Sequence, residues 1–293
     1  MTDLVIRPMT TDDVPAAERL SAVGFLELDQ RMFRRDWPDP ELRPAARSGP
    51  WITRTRHIVE TDPGGCWVAE YDGELVGNAV SFNREKLWCL ATYVVRPGLQ
   101  GQGLGKQLLD AALEHGRGAL RGMISASGDP KAVRRYRLAG FSLEPQMFLK
   151  GTVDRSVLPV IEKVRDGSAG DIDLMDSIDR QTRGAAHGPD HELMLGFWRL
   201  LVSDTGTGSG YAYLDDRGGV QLLAATNRRT AARLLWAALA TTEGETTVPH
   251  LTSVNEWAID VGMAARLELH QEGYLGLRGM KPPASYIHNG ALL

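Results

Sequence analysis

The chain runs to 293 residues, 43% hydrophobic and 24% charged, which fits two soluble domains better than one. Its formal net charge of −4 argues against a nucleic-acid binder, which needs a basic face. Residues 1–150 carry 20 Lys and Arg against 19 Asp and Glu, and the remainder carries 13 against 18. No run approaches the ~18 apolar residues of a membrane span, and Met1-Thr2-Asp3 is unlike a secretion signal, so a cytoplasmic protein is expected. Cys66 and Cys89 sit in apolar runs without metal or disulfide spacing, as core residues in a reducing compartment would.

In chain order, Leu4-Val5-Ile6-Arg7-Pro8 predicts a short strand. Thr10 to Asp13 then offers caps for a helix carrying Val14, Ala17 and Leu20. Arg31 to Arg56, rich in Arg and Pro, predicts a loop with short helical pieces that covers a substrate site. Two apolar runs between Cys66 and Phe82 flank Asp72-Gly73 and predict a tight hairpin. Leu87 to Val95 is a nearly unbroken apolar run, as in a strand buried on both faces. It feeds into Gln100-Gly101-Gln102-Gly103-Leu104-Gly105, beyond which Leu104, Leu108, Leu109 and Ala112 repeat at helical spacing. Gly122 to Ala126 predicts a strand, Asp129-Pro130 starts a helix ending at Gly140, and Phe141 to Leu149 predicts a closing strand.

Glycines at 101, 103 and 105, between a strand and a helix, present backbone N–H groups and the positive end of a helix dipole toward one point, which suits an anion. A nucleotide phosphate loop requires Ser or Thr after Gly-Lys, and Gln107 follows Lys106. A dinucleotide fingerprint requires a third glycine where Lys106 stands.

The pattern resembles the Gln/Arg-x-x-Gly-x-Gly/Ala motif of the GNAT superfamily of acyl-CoA-dependent N-acyltransferases, matched by Gln100, Gly103 and Gly105. The later Tyr-x-x-x-Gly-Phe is matched by Tyr136 to Phe141. The resemblance covers about residues 4 to 150 and implies an α/β fold with a mixed sheet split at its fourth strand. Pantetheine of acetyl-CoA, or of another acyl-CoA, would pair with backbone at Tyr93, Val94 and Val95. Pyrophosphate would sit on the amides of Gly101, Gln102, Gly103, Leu104, Gly105 and Lys106, and Tyr136 would be the general acid at the departing thiolate. The family often has a glutamate on the fourth strand as general base, but none lies between Leu87 and Val95. Glu27, Asp29, Glu70, Glu85 and the Leu293 carboxylate remain candidates. The family's helix-starting asparagine is replaced by Ser127-Gly128-Asp129, so Ser127 or Asp129 would supply its hydrogen bond.

The second half repeats the pattern faintly. Asp171 to Ile178 suggests a helix, Tyr211 to Leu223 a hairpin, Arg233 to Ala240 a helix, and Gly273-Tyr274 matches Gly140-Phe141. In that register Arg229 and Ala231 stand for Gly103 and Gly105, and Leu269 for Tyr136. Two tandem GNAT-like domains are expected, each a mostly antiparallel sheet flanked by helices. Residues 1–150 form the acyl-CoA-binding catalytic domain, and 151–293 a degenerate one that is structural or acceptor-binding. His187, His191, Glu192, Trp198 and Trp257 are pocket candidates or ordinary core and surface residues. The i, i+4 pair His187 and His191 is interrupted by Gly188-Pro189, so no metal is expected.

The chain therefore reads as an N-acetyltransferase acting on the amine of a small molecule or peptide, as a monomer or homodimer, without nucleic acid or membrane. A protein N-acetyltransferase and a non-catalytic acyl-CoA-binding regulator are the alternatives.

Overall fold

The computed structural model describes residues 4–33 and 37–293. The fold is mixed α/β, in two compact units. One comprises residues up to Asn83 together with Trp88–Leu120, and the other comprises Arg84–Leu87 and Arg121–Leu293.

The first unit opens with β1 (Leu4–Pro8) and α1 (Val14–Arg31). The Thr10 amide donates to Asp13 at 2.8 Å in a capping box, and Arg7 pairs with Asp13 at 2.8 Å. The expected loop to Arg56 is corrected over its second half. Residues Ala45–Thr61 form a 17-residue helix, α2, with Pro50 inside it. Gly49-Pro50 reads as a breaker, yet Trp51, Thr55, Ile58 and Val59 are buried at helical spacing, and packing of that stripe outweighs one lost backbone hydrogen bond. Residues 34–36 of that segment lie outside the described residues. β2 (Cys66–Tyr71) and β3 (Glu74–Arg84) form the expected hairpin, with Tyr71 opposite Glu74 and positive φ at Asp72 and Gly73. β4 (Leu87–Val95) and α3 (Leu104–His115) follow. Strands run in the order β1-β2-β3-β4. Helix α3 covers one sheet face, where Ser81 Oγ donates to the Ala112 carbonyl at 3.2 Å. Cys66 and Cys89 are buried and free, and burial pushes the Cys66 thiol up to about 12, as an inert core residue requires.

The second unit contains β5 (Arg121–Ala126), α4 (Pro130–Leu138), β6 (Ser142–Thr152), β7 (Arg165–Asp166), α5 (Ile172–Thr182), α6 (Asp190–Phe197), β8 (Arg199–Thr205), β9 (Gly208–Leu214), β10 (Val220–Ala225), α7 (Arg228–Thr241), β11 (Glu245–Leu251), α8 (Glu256–Ala264), β12 (Glu268–Arg278) and β13 (Tyr286–Ile287). Its strands run β5-β12-β6-β11 and β13-β10-β9-β8-β7. Leu234, Leu235 and Ala238 of α7 and Trp257, Ala258 and Val261 of α8 pack with Leu149, Val248 and Leu251 in a continuous core.

β6 and β12 are each 11 residues long and follow helices of nine residues, α4 and α8, at a constant spacing of 126 residues. The same spacing superposes the buried residues Leu108 and Leu109 of α3 on Leu234 and Leu235 of α7. The expected match of Gly273-Tyr274 to Gly140-Phe141 is therefore corrected. Gly140 corresponds to Arg266, which shares its positive φ (69° against 89°) at the helix-to-strand turn. Gly262 on α8, pressed against Leu149, takes the place of Tyr136. Residues Gly273-Tyr274 lie within β12, at a register shift against β6, because Gly273 lets the strand approach the Ala126 carbonyl. β12 lies between β5 and β6, and β6 between β12 and β11. Each of the two equivalent strands is thus hydrogen-bonded only to strands from the other half of the sequence.

Candidate acyl-CoA and acceptor site

The segment between β4 and α3 is built to leave amides uncovered. Gly98, Gly101 and Gly103 have φ of 87°, 85° and 90°, a region costly for any other residue. Gly103 is the N-cap of α3 and supplies no side-chain acceptor. The first-turn N–H groups, those of Leu104, Gly105 and Lys106, thus start a helix with no protein cap, at the positive end of its dipole. Gly101, Gln102, Gly103 and Lys106 are exposed and Leu104 is buried. Gln100 Nε2 donates to the Val95 carbonyl at 3.2 Å, tying the loop to the end of β4. Gly105 has an ordinary φ and a different reason: a Cβ there would overlap the hydroxyl of Tyr93. Tyr93 is half-buried, and Val94 and Val95 are buried. Lys106 pairs with Asp110 at 2.5 Å along the helix.

The second half has no such loop. Only Thr226 and Asn227 separate β10 from α7, against the eight residues 96–103 between β4 and α3. The Asn227 side chain accepts from the Thr230 amide at 3.0 Å, so the corresponding helix start is capped by protein.

Tyr136 is buried on α4, where its carbonyl accepts from the Ala139 and Phe141 amides. Ser127 is exposed in the turn after β5. Asp129 takes the capping role, accepting from the Lys131 amide at 2.9 Å. Beside them Gly128, Pro130, Arg134, Arg137 and Tyr274 line a depression of about 430 Å³.

Among the carboxylates proposed as bases, Glu70 is held by Arg7 at 3.0 Å. Glu85 bonds Arg180 at 2.7 Å and the Ala186 amide, which together outweigh burial and hold its carboxyl low. Arg183 donates to the Leu293 backbone oxygen. Asp29 is exposed, and partial burial, opposed by Arg47, raises its carboxyl. Glu27 differs from these: its Oε2 is buried and hydrogen-bonds nothing among the described residues. It lies one turn beyond Gly24, where α1 touches β4 so closely that a Cβ would overlap the Val94 side chain.

His187 and His191 meet in a way that their spacing in the sequence does not show. The break at Gly188-Pro189 keeps them off one helix face, but both reach Asp179 of α5: His187 Nδ1 at 2.6 Å and His191 Nε2 at 3.1 Å from its Oδ2. Tyr211 donates to Asp179 Oδ1 at 2.5 Å, and Tyr213 and Tyr286 face the remaining ring nitrogens at 3.1 and 3.4 Å. The three candidate ligand atoms lie within 4.8 Å of one another and are fully buried, with Asp179 Oδ2 bridging the two rings. Trp257 donates to the Ala284 carbonyl at 2.7 Å, Trp198 packs on Tyr213, and Glu192 is exposed.

The model of the GNAT acetyltransferase family matches residues 23–141. The N-alpha-acetyltransferase RimI of Mycobacterium tuberculosis is 30% identical over 137 residues, covering 45% of this chain and 82% of that protein. The chain belongs to the GNAT acetyltransferase family, and it is an acetyltransferase. At the level of fold, a presumed acetyltransferase from Pyrococcus horikoshii superposes with a TM-score of 0.73 at 19% identity, over 99% of this chain and 95% of that one. A tandem GNAT protein of the clavulanic acid biosynthesis pathway does so with a TM-score of 0.57 at 12% identity, over 94% and 98%. No helix among the described residues is long and apolar enough to cross a membrane.

Proposed function

We propose that the chain transfers an acetyl group from acetyl-CoA to an amine by direct attack, using one cofactor site. The observation that carries this reading is the uncapped start of α3 behind Gly101 and Gly103. Its amides would hold the pyrophosphate, with Gln100, Gly101, Gln102, Gly103, Leu104, Gly105 and Lys106 as the cradle, and with Tyr93, Val94, Val95 and Ser127 along the pantetheine. Residues 1–150 carry the cofactor and catalytic groups. Residues 151–293 are a degenerate repeat, a reading supported by the two-residue β10–α7 connection and by Gly262 in the place of Tyr136.

Amine attack requires a neutral nucleophile and a proton for the thiolate. Glu27 takes the first role, since its buried Oε2 has no hydrogen-bond partner among the described residues and sits one turn beyond the contact of α1 with β4. Tyr136 takes the second, its phenol donating to the sulfur of CoA as the C–S bond breaks, and the phenolate it leaves accepts the remaining amine proton as the amide forms. The test is acetyl-CoA titration followed by thiol release with a panel of amines. Binding with turnover supports transfer, binding without turnover on any amine indicates a regulator, and absence of binding rejects the cofactor site. Turnover confined to peptide N-termini would favour the protein N-acetyltransferase reading, which the RimI relative motivates.

A further inference from the structure

The sheet face opposite α3 and the helices α1 and α2, which pack on each other, hold a set of polar atoms that the fold does not use. Gly77 faces α3, since a Cβ there would overlap Leu108, so its neighbour Asn78 points to the other face. Arg96 N donates to the Val76 carbonyl at 2.8 Å across the β3–β4 hairpin, which sets Val94 opposite Asn78 on one face. Val94 touches Gly24 of α1, so Asn78 lies beneath α1, which one turn further on carries Glu27 and its unbonded Oε2. The Asn78 side chain is fully buried, yet neither its amide nitrogen nor its oxygen has a hydrogen-bond partner among the described residues. The same holds for Thr55 Oγ1, 1% exposed, on the buried face of α2.

Beside Thr55 stands Arg54, whose Nε is also buried without a partner. Its guanidinium lies 5.9 Å from the Trp51 ring, with that of Arg43 5.5 Å from the same ring. Arg43 is neutralised by Glu18 at 2.8 Å, whereas no carboxylate among the described residues pairs with Arg54. Burial, with Arg43 adding repulsion, lowers Arg54 to about 10, as fits a cation lacking its counter-charge. Native interiors rarely leave so many polar groups unbonded, and these atoms on Arg54, Thr55 and Asn78, with Glu27 Oε2, mark a place for a polar ligand.

We propose that this place is the acceptor pocket and that it selects an amine bearing a carboxylate, a small amino-acid-like zwitterion: Arg54 takes the carboxylate, Asn78 and Thr55 bond its polar body, and Glu27 faces its ammonium. A carboxylate is preferred because its two oxygens match the planar Nε–H and Nη–H fork. The inference rests on the acetyl-transfer reading and names its substrate class.

The test uses the full chain saturated with CoA, titrated calorimetrically with each of the common L-amino acids and with the carboxamide of each. CoA binding and thiol release, read separately, report on the acetyl-transfer reading and leave this one to stand or fall by itself. The expected result is that at least one amino acid binds, that its carboxamide binds at least about tenfold more weakly, and that Arg54→Gln removes the difference. Thr55→Val, which keeps shape and loses only the hydroxyl, should weaken binding several-fold with a melting temperature no lower than the parent's. The proposal is overturned if no amino acid binds, if carboxamides bind as well as acids, or if a folded Arg54→Gln protein retains the preference.

Discussion

The hydroxyl of Tyr93 lies against the Cα of Gly105, in the space that any side chain at that position would fill. The contact locks the first turn of α3 to β4, the two elements that would hold the pyrophosphate and the pantetheine. Gly105→Ala is expected to displace the Tyr93 ring or the helix start by several tenths of an ångström. Such a shift should weaken acetyl-CoA binding about tenfold or more, whereas Tyr93→Phe in the same background should restore part of it by removing the obstructing oxygen. Equal CoA affinities for Gly105→Ala and the parent would show that the contact is incidental.

Gly103 has a different requirement. At φ 90° an alanine would cost on the order of 1–2 kcal/mol of backbone strain. The first turn of α3 would relieve it by turning its amides away from the loop. Gly103→Ala should therefore lose CoA affinity while global stability drops only by that amount. Calorimetric titration with CoA and thermal melting separate the two effects.

The left-handed Gly101 and Gly103, the hairpin at Asp72-Gly73 and the helix start at Asp129-Pro130 were legible in the sequence because each follows from one residue's local conformational rule. What could not be read locally is set by packing. Helix α2 persists through Pro50 because Trp51, Thr55 and Ile58 are buried together. Gly273 marks a close strand approach and not a helix end. Glu27 differs from a solvated carboxylate only through what α1 packs on. Asp179, the residue that gathers His187 and His191, carries no sequence signal, since its partners come from three elements.

The reciprocal placement of β6 and β12 bears on how the chain can be divided. A protein ending at Gly151 would leave β6 without both hydrogen-bonded neighbours, β12 and β11, and would bare Leu149 and Phe148 at an open edge, a recipe for aggregation. It is expected to be insoluble alone and to be recovered, at least in part, by co-expression with residues 152–293. Solubility and circular dichroism of the separate and co-expressed halves test this. A folded, monomeric 1–151 fragment would contradict it.

Tyr136→Phe should lower kcat by about a hundredfold, the lower end of what a positioned general acid contributes, with acetyl-CoA affinity unchanged within about twofold. Glu27→Gln should lower kcat/KM by a similar factor near neutral pH, with the deficit shrinking at high pH as the acceptor amine loses its proton unaided. If Tyr136→Phe turns over like the parent, the phenol is a core residue and the thiolate takes its proton from water.

The buried network around Asp179 predicts an acid-sensitive fold. Burial, reinforced by Arg183 and opposed by Asp179, depresses His187 to about 4, so the ring stays neutral inside the protein. An unfolded histidine titrates near 6.5. Because the folded value is the lower one, the stabilisation is complete above about pH 6.5 and is lost as pH falls from there toward 4, where the unfolded chain binds a proton that the folded chain refuses. At 1.36 kcal/mol per pKa unit the loss is on the order of 3 kcal/mol by pH 4. Asp179 acts in the same direction at still lower pH: burial raises its carboxyl, but His187, His191 and Arg183 more than offset this and hold it low. Denaturant melts at half-unit intervals between pH 7.5 and 4 should show the decline beginning near 6.5. His187→Gln, which keeps a polar side chain without the titration, should be less stable at pH 7 and flatter across the range. A parent profile flat to pH 4.5, or an equal slope in His187→Gln, would place the titrating group elsewhere.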